Sequence, residues 1–69
     1  MPSTVIRRFD YDPEREELDV LFTTGRRYRY HRVPRSEADA FRAAFSKGRY
    51  FNAHIRDRYA FTEVASAPT

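Results

Sequence analysis

The chain has 69 residues, 13 Lys+Arg against 10 Asp+Glu for a net charge of +3, 41% apolar and 16% aromatic residues, and neither Cys nor Trp. A chain of this size removes only roughly 60% of its unfolded surface from water, so one small domain with a marginal core is expected and a deep catalytic cleft is not. Without Cys there is no disulfide framework and no thiolate metal site. No apolar run approaches the roughly 20 residues of a membrane helix, and no signal-peptide core is visible, so a soluble, cytoplasmic protein is expected.

Strand one is expected over Thr4 to Tyr11, where β-branched and aromatic residues mix, and Asp12-Pro13-Glu14-Arg15 supplies Asp and Pro at the first two positions of a type I turn. In strand two, Leu18, Val20 and Phe22 alternate with Asp19, Leu21 and Thr23, the period of a half-buried antiparallel strand. Thr23-Thr24-Gly25 reads as a three-residue hairpin loop whose last position is left-handed, and strand three runs from Arg26 to about Val33. That loop predicts pairs whose numbers sum to 48. Val20 then opposes Tyr28 and Leu18 opposes Tyr30 on the inner face; Leu21 meets Arg27, Asp19 meets Arg29 and Glu17 meets His31 on the other. Phe9 and Tyr11 join the inner face, and the adjacent Val5 and Ile6 point to a bulge in the first half of strand one.

Val33-Pro34 ends the sheet. Ser36, with Glu37 in the first turn and Asp39 where a capping box places Glu, predicts a helix to about Phe45. Its apolar face would be Ala38, Phe41, Ala44 and Phe45, with Glu37 and Arg42 pointing away. Ser46-Lys47-Gly48 breaks this helix, and Tyr50, Phe51, Asn52, His54, Ile55 and Tyr59 predict a short second helix or turn along the sheet edge. Residues 1–64 thus form one α+β domain: a three-stranded antiparallel meander packed by one helix and a second short one. Residues 65–69 have little to bury and are expected to be a disordered tail.

Chemistry-bearing patterns are few. The acids from Asp12 to Asp19 sit on a surface turn and read as solvated surface, not as a catalytic pair. Ser46 and His54 are the sole nucleophile–base candidates, but Ser46 before Lys47-Gly48 reads as a helix-capping residue. His31 and His54 are too few for zinc, and Ser46-Lys47-Gly48-Arg49 lacks the glycines and preceding strand of a phosphate loop. No catalytic residue, metal or cofactor is therefore expected.

Basic residues interleaved with aromatics are the remaining signal. Residues 26–35 carry five arginines and no acid. Arg26, Arg27, Arg29 and Arg32, with Arg49, Arg56 and Arg58 farther on, are the candidate phosphate contacts, and Tyr50, Phe51 and Tyr59 the candidate stacking rings. The register assigns Tyr28 and Tyr30 to the core and lets Asp19 and Glu17 partly neutralise Arg29 and His31. Arginine outnumbers lysine twelve to one, which genome base composition explains more readily than phosphate recognition does.

Tyr11-Asp12, Leu18-x-Val20-x-Phe22, Gly25, Tyr28-Arg29-Tyr30, Val33-Pro34, Ser46-x-Gly48-x-Tyr50-Phe51-Asn52 and Ile55-Arg56, over about residues 4 to 64, resemble the KTSC domain. The resemblance implies a short module found at the C-terminus of some lysyl-tRNA synthetases and as stand-alone bacterial proteins. It implies RNA or tRNA as partner through the synthetase linkage, and no catalytic residues. On the family pattern Gly25, Tyr28, Tyr30 and Asn52 are structural. The leading expectation is a non-enzymatic module binding RNA or another polyanion. The alternative is a protein-interaction module docking through Tyr50, Phe51 and Ile55 or a sheet edge, which also leaves oligomeric state open.

Overall fold

The computed structural model describes residues 6–64. Thr4, Val5 and the tail from Ala65 to Thr69 lie outside the described residues. Four strands, β1 (Ile6–Asp12), β2 (Glu17–Phe22), β3 (Arg27–Tyr30) and β4 (Phe61–Val64), form one antiparallel sheet in the order β1-β2-β3-β4. The α+β architecture is as expected, with one strand more than the predicted meander.

The hairpin register is the one Gly25 predicts: Leu18 faces Tyr30, Asp19 Arg29, Val20 Tyr28 and Leu21 Arg27. Gly25 has φ +93°, and its N–H donates to Phe22 O at 2.9 Å. An L-residue pays steric strain there, which glycine avoids. Between β1 and β2, Ile6 pairs with Phe22 but Arg8 with Leu21, so the predicted bulge falls at Arg7. The turn that follows is closed by Asp12 Oδ1, which accepts from the N–H groups of Glu14 (3.0 Å) and Arg15 (3.3 Å).

β4 was not foreseen. Phe61-Thr62-Glu63-Val64 lacks an apolar–polar alternation, and the segment becomes a strand by pairing with distant β3: Tyr28 with Glu63, Tyr30 with Phe61. His31 N–H extends that ladder to Ala60 O at 2.9 Å.

Helix α1 spans Arg35–Ala43. It starts earlier than predicted because Pro34, extended at φ −68° and ψ 156°, is the N-cap and its carbonyl accepts from Glu37 and Ala38 N–H (3.0 and 3.2 Å). Ser36 therefore lies inside the first turn and caps nothing. Ala38 and Phe41 are buried as expected, but Ala44 is extended (ψ 140°) and ends the helix. Phe45 consequently leaves the apolar face and is fully exposed. Glu37 and Arg42, expected to point away, are engaged instead. Glu37 accepts from two tyrosines, and the Arg42 guanidinium lies 5.7 Å from the Phe9 ring centroid.

Ser46 caps α2 (Lys47–Tyr50), its hydroxyl accepting from Arg49 N–H at 3.3 Å. The Lys47 ammonium donates to Ala44 O at 2.7 Å, satisfying a carbonyl at the end of α1. A π-helical turn, Phe51–Ile55, continues directly from α2, with Arg56 N–H bonded to Phe51 O at 2.9 Å. This segment crosses the middle of the sheet, not its edge. Phe51 meets Phe22 of β2 and Tyr30 of β3 at 5.4 Å each, because Phe51 and Ile55 are both buried in the core with Leu18, Val20, Val33 and Phe41.

Candidate nucleic-acid interface

The helices cover the inner face of the sheet incompletely. Where β2, β3 and β4 extend past them, a cleft of about 570 Å³ opens. Phe22, Tyr28, Tyr30 and Phe61 belong to the sheet side, Phe51, Arg56 and Asp57 to the helical side, and Thr23, Thr24 and Arg26 come from the hairpin end. The rings form a connected set. Tyr28 lies edge-on to Phe22 (5.5 Å) and Phe61 (5.4 Å), and Tyr30 lies 5.3 Å from Phe61. Phe61 stays 54% exposed, a ring partly open to solvent within a site otherwise floored by packed rings.

Two candidate arginines meet here. Arg26 enters from the hairpin and makes an exposed 3.4 Å ion pair with Glu63; Arg56 follows the π turn. Burial, above all, pushes the Tyr30 hydroxyl up to about 12, with Arg56 lowering it and Tyr28 and Asp57 raising it further. Tyr30 thus keeps its proton at neutral pH.

The other candidates do not converge on the cleft. Arg27 and Arg29 are on the opposite face of β3, since residues alternate across a strand. Arg29 Nε donates to Asp19 Oδ1 at 2.8 Å and lies 3.8 Å from Glu17, and the Asp19 hydrogen bond raises its already high pKa. Asp10, Asp12, Glu17 and Asp19 share that outer face, where a shallow hollow of about 200 Å³ is lined mainly by acids. His31 is held there by Glu17 (3.6 Å) and Thr62 (2.9 Å). Arg32 is exposed beyond β3 at φ 58°, Arg49 is exposed on α2, and Arg58 is exposed after the π turn.

The proposed stacking rings are largely committed to the fold. Phe51 is buried, and the Tyr50 and Tyr59 hydroxyls both donate to the Glu37 carboxylate, Tyr59 at 3.0 Å. Burial is the first cause that raises both pKa values, the Glu37 hydrogen bond the second; Tyr50 reaches about 12. His54 packs its ring 4.4 Å from Tyr50. Of the motif residues, Gly25 makes the hairpin, Tyr28 and Tyr30 pack inward, and Asn52 is half-buried on the π turn. Tyr11 adds a brace, its hydroxyl donating to Val33 O at 2.6 Å.

Sequence reasoning missed Phe22, Phe61 and Asp57 as cleft residues. Phe22 was legible as the end of the Leu18-Val20 alternation, whereas Phe61 required knowledge of β4. Among the described residues no three His, Cys, Asp or Glu side chains are placed to hold a metal ion, and no helix is long and apolar enough to cross a membrane.

The sequence model of the KTSC domain matches residues 2–59. A protein of Stutzerimonas stutzeri is 42% identical over 52 residues, 75% of this chain and 73% of its own length. One of Tsukamurella paurometabola is 37% identical over 57 residues, 83% and 85% of the two chains. A lysine–tRNA ligase of Nostoc punctiforme is 32% identical over 62 residues, which span 90% of this chain but 11% of the ligase. The crystal structure of a KTSC domain protein from Yersinia pestis is similar with a TM-score of 0.82 at 29% identity, over 94% of each chain.

Proposed function

The chain belongs to the KTSC domain family, and from that premise we propose that it is a small, non-enzymatic binding module for single-stranded RNA. The observation that carries this reading is the cleft. One open site combines an exposed ring, Phe61, with two arginines, Arg26 and Arg56. Stacking on an aromatic face and neutralising phosphates are the two elementary contacts of single-strand binding. On the outer face Asp10, Asp12, Glu17 and Asp19 lie among the arginines and Arg29 is already bonded to Asp19, which weakens that face for the same ligand. The Nostoc relative, a lysine–tRNA ligase, supports RNA as the class of partner.

The test is fluorescence-anisotropy titration of a short mixed-sequence RNA at low and near-physiological salt. Arg26→Ala with Arg56→Ala is expected to weaken binding about tenfold and to flatten the salt dependence by roughly 0.7 per lost phosphate contact. Arg8→Ala with Arg27→Ala changes net charge equally on the outer face and is expected to act far less. Equal losses in the two double variants would refute the cleft as the site; no binding at either salt would refute RNA.

Among the described residues no strand lies beyond β4, and that edge beside exposed Phe61 favours a second reading, a peptide strand added to the sheet. Docking through Phe51 and Ile55 is incompatible with their burial at 2% and 0% exposure. Strand addition would be insensitive to salt, which separates it from the RNA reading.

A further inference from the structure

The cleft contains a carboxylate that phosphate binding does not account for. Asp57 lines it beside Arg56 and acts electrostatically on the Tyr30 hydroxyl. No ion pair within 4.0 Å joins Asp57 to Arg56 or Arg58. An acid in a groove for phosphates weakens the groove. The same acid is useful if it meets hydrogen-bond donors on a base while the arginines meet the backbone.

Resting on the RNA-binding reading, we infer that Asp57 makes the cleft selective for guanine. Guanine alone among the four bases presents two adjacent donors, N1–H and the N2 amino group, on its Watson–Crick edge, and a carboxylate can accept from both at once. The next group along that edge, O6, is an acceptor. Arg56, next to Asp57 on the helical side of the cleft, is a donor placed to meet it. Adenine would set its N1 lone pair against the carboxylate. Uracil offers one N–H between two carbonyls, and cytosine sets N3 and O2 lone pairs beside its single amino group. A base stacked on Phe61 therefore has one edge chemistry that suits Asp57 on the other wall. At about 570 Å³ the cleft lies within the range of small-ligand sites.

The experiment compares RNAs of alternating U and G with RNAs of alternating U and A, of equal length and charge, binding the full chain by fluorescence anisotropy. The U/G series is expected to bind about tenfold more tightly, the discrimination of a good bidentate contact. Asp57→Asn, at an exposed position, is expected to reduce that preference to about twofold or less by weakening the U/G RNA. It should leave the U/A RNA unchanged or slightly tighter, since a negative charge is removed. Equal binding of both RNAs by the unaltered protein, or a preference that survives Asp57→Asn, overturns guanine selection and leaves RNA binding standing. Absence of binding to either RNA overturns both.

Discussion

Glu37 is the residue on which three segments depend. It sits in the first turn of α1, and its two carboxylate oxygens accept from Tyr50 of α2 and Tyr59 beyond the π turn. Such charge-assisted bonds favour the neutral phenol. Burial is the larger cause at Tyr50 and the main one at Tyr30, which makes no bond to Glu37, and both rise from 10.0 to about 12. Because the folded values lie above the unfolded one, the stabilisation is present in full below pH 10 and is lost as pH climbs through about 12. Ultraviolet titration of the phenolates is expected to show these two tyrosines ionising late, together with the loss of the fold by circular dichroism. Simultaneous ionisation of every tyrosine near pH 10 in a folded chain would contradict it. Sequence order assigned Glu37 to solvent because helical spacing describes α1 alone, while Tyr50 and Tyr59 approach from outside it.

At the scale of elements, the β2–β3 hairpin is the part most directly encoded. Its loop length and the left-handed Gly25 determine which face every residue of both strands occupies. A Cβ at Gly25 would meet nothing within 4 Å, so the cost of substitution is backbone strain alone. Gly25→Ala is expected to destabilise the protein by about 1 kcal/mol in urea unfolding, through an unfavourable φ and not a clash. An unchanged midpoint would show that the loop relaxes to another turn. α1 was less legible. Its boundaries depend on Pro34 accepting the first helical bonds and on Ala44 turning extended, and a shift of one residue at the start with two at the end released Phe45 into solvent.

For the molecule as a whole, a single layer of rings holds sheet and helices together. Phe41 is its hub, 4.4 Å from Phe9, 5.9 Å from Tyr50 and 6.5 Å from Phe51. Truncating a buried Phe to Ala costs roughly 3–5 kcal/mol, against a total of about 3–10 kcal/mol for a domain of this size. Phe41→Ala is therefore expected to abolish a cooperative thermal transition. Phe45→Gln, at the fully exposed ring, is expected to shift stability by no more than about 0.5 kcal/mol. Comparable melting of the two variants would mean that the helix does not seat on the sheet as described.

Local chemistry alone therefore determined the hairpin, its register, the inward tyrosines, the bulge near the start of β1 and the cap at Ser46. Each follows from interactions between residues near in sequence or from the two-residue period of a strand. The arginine-rich stretch also looked like one surface, but that same period divides it: Arg27 and Arg29 face the acids of the outer side, while Arg26 and Arg56 reach the cleft. The cleft itself was decided only by tertiary structure. It exists because β4 pairs with β3 across some thirty intervening residues, and because the π turn brings Phe51, Arg56 and Asp57 over the sheet. Contacts between segments so far apart leave no periodic trace in sequence, since neither partner carries the pattern until the other has folded against it.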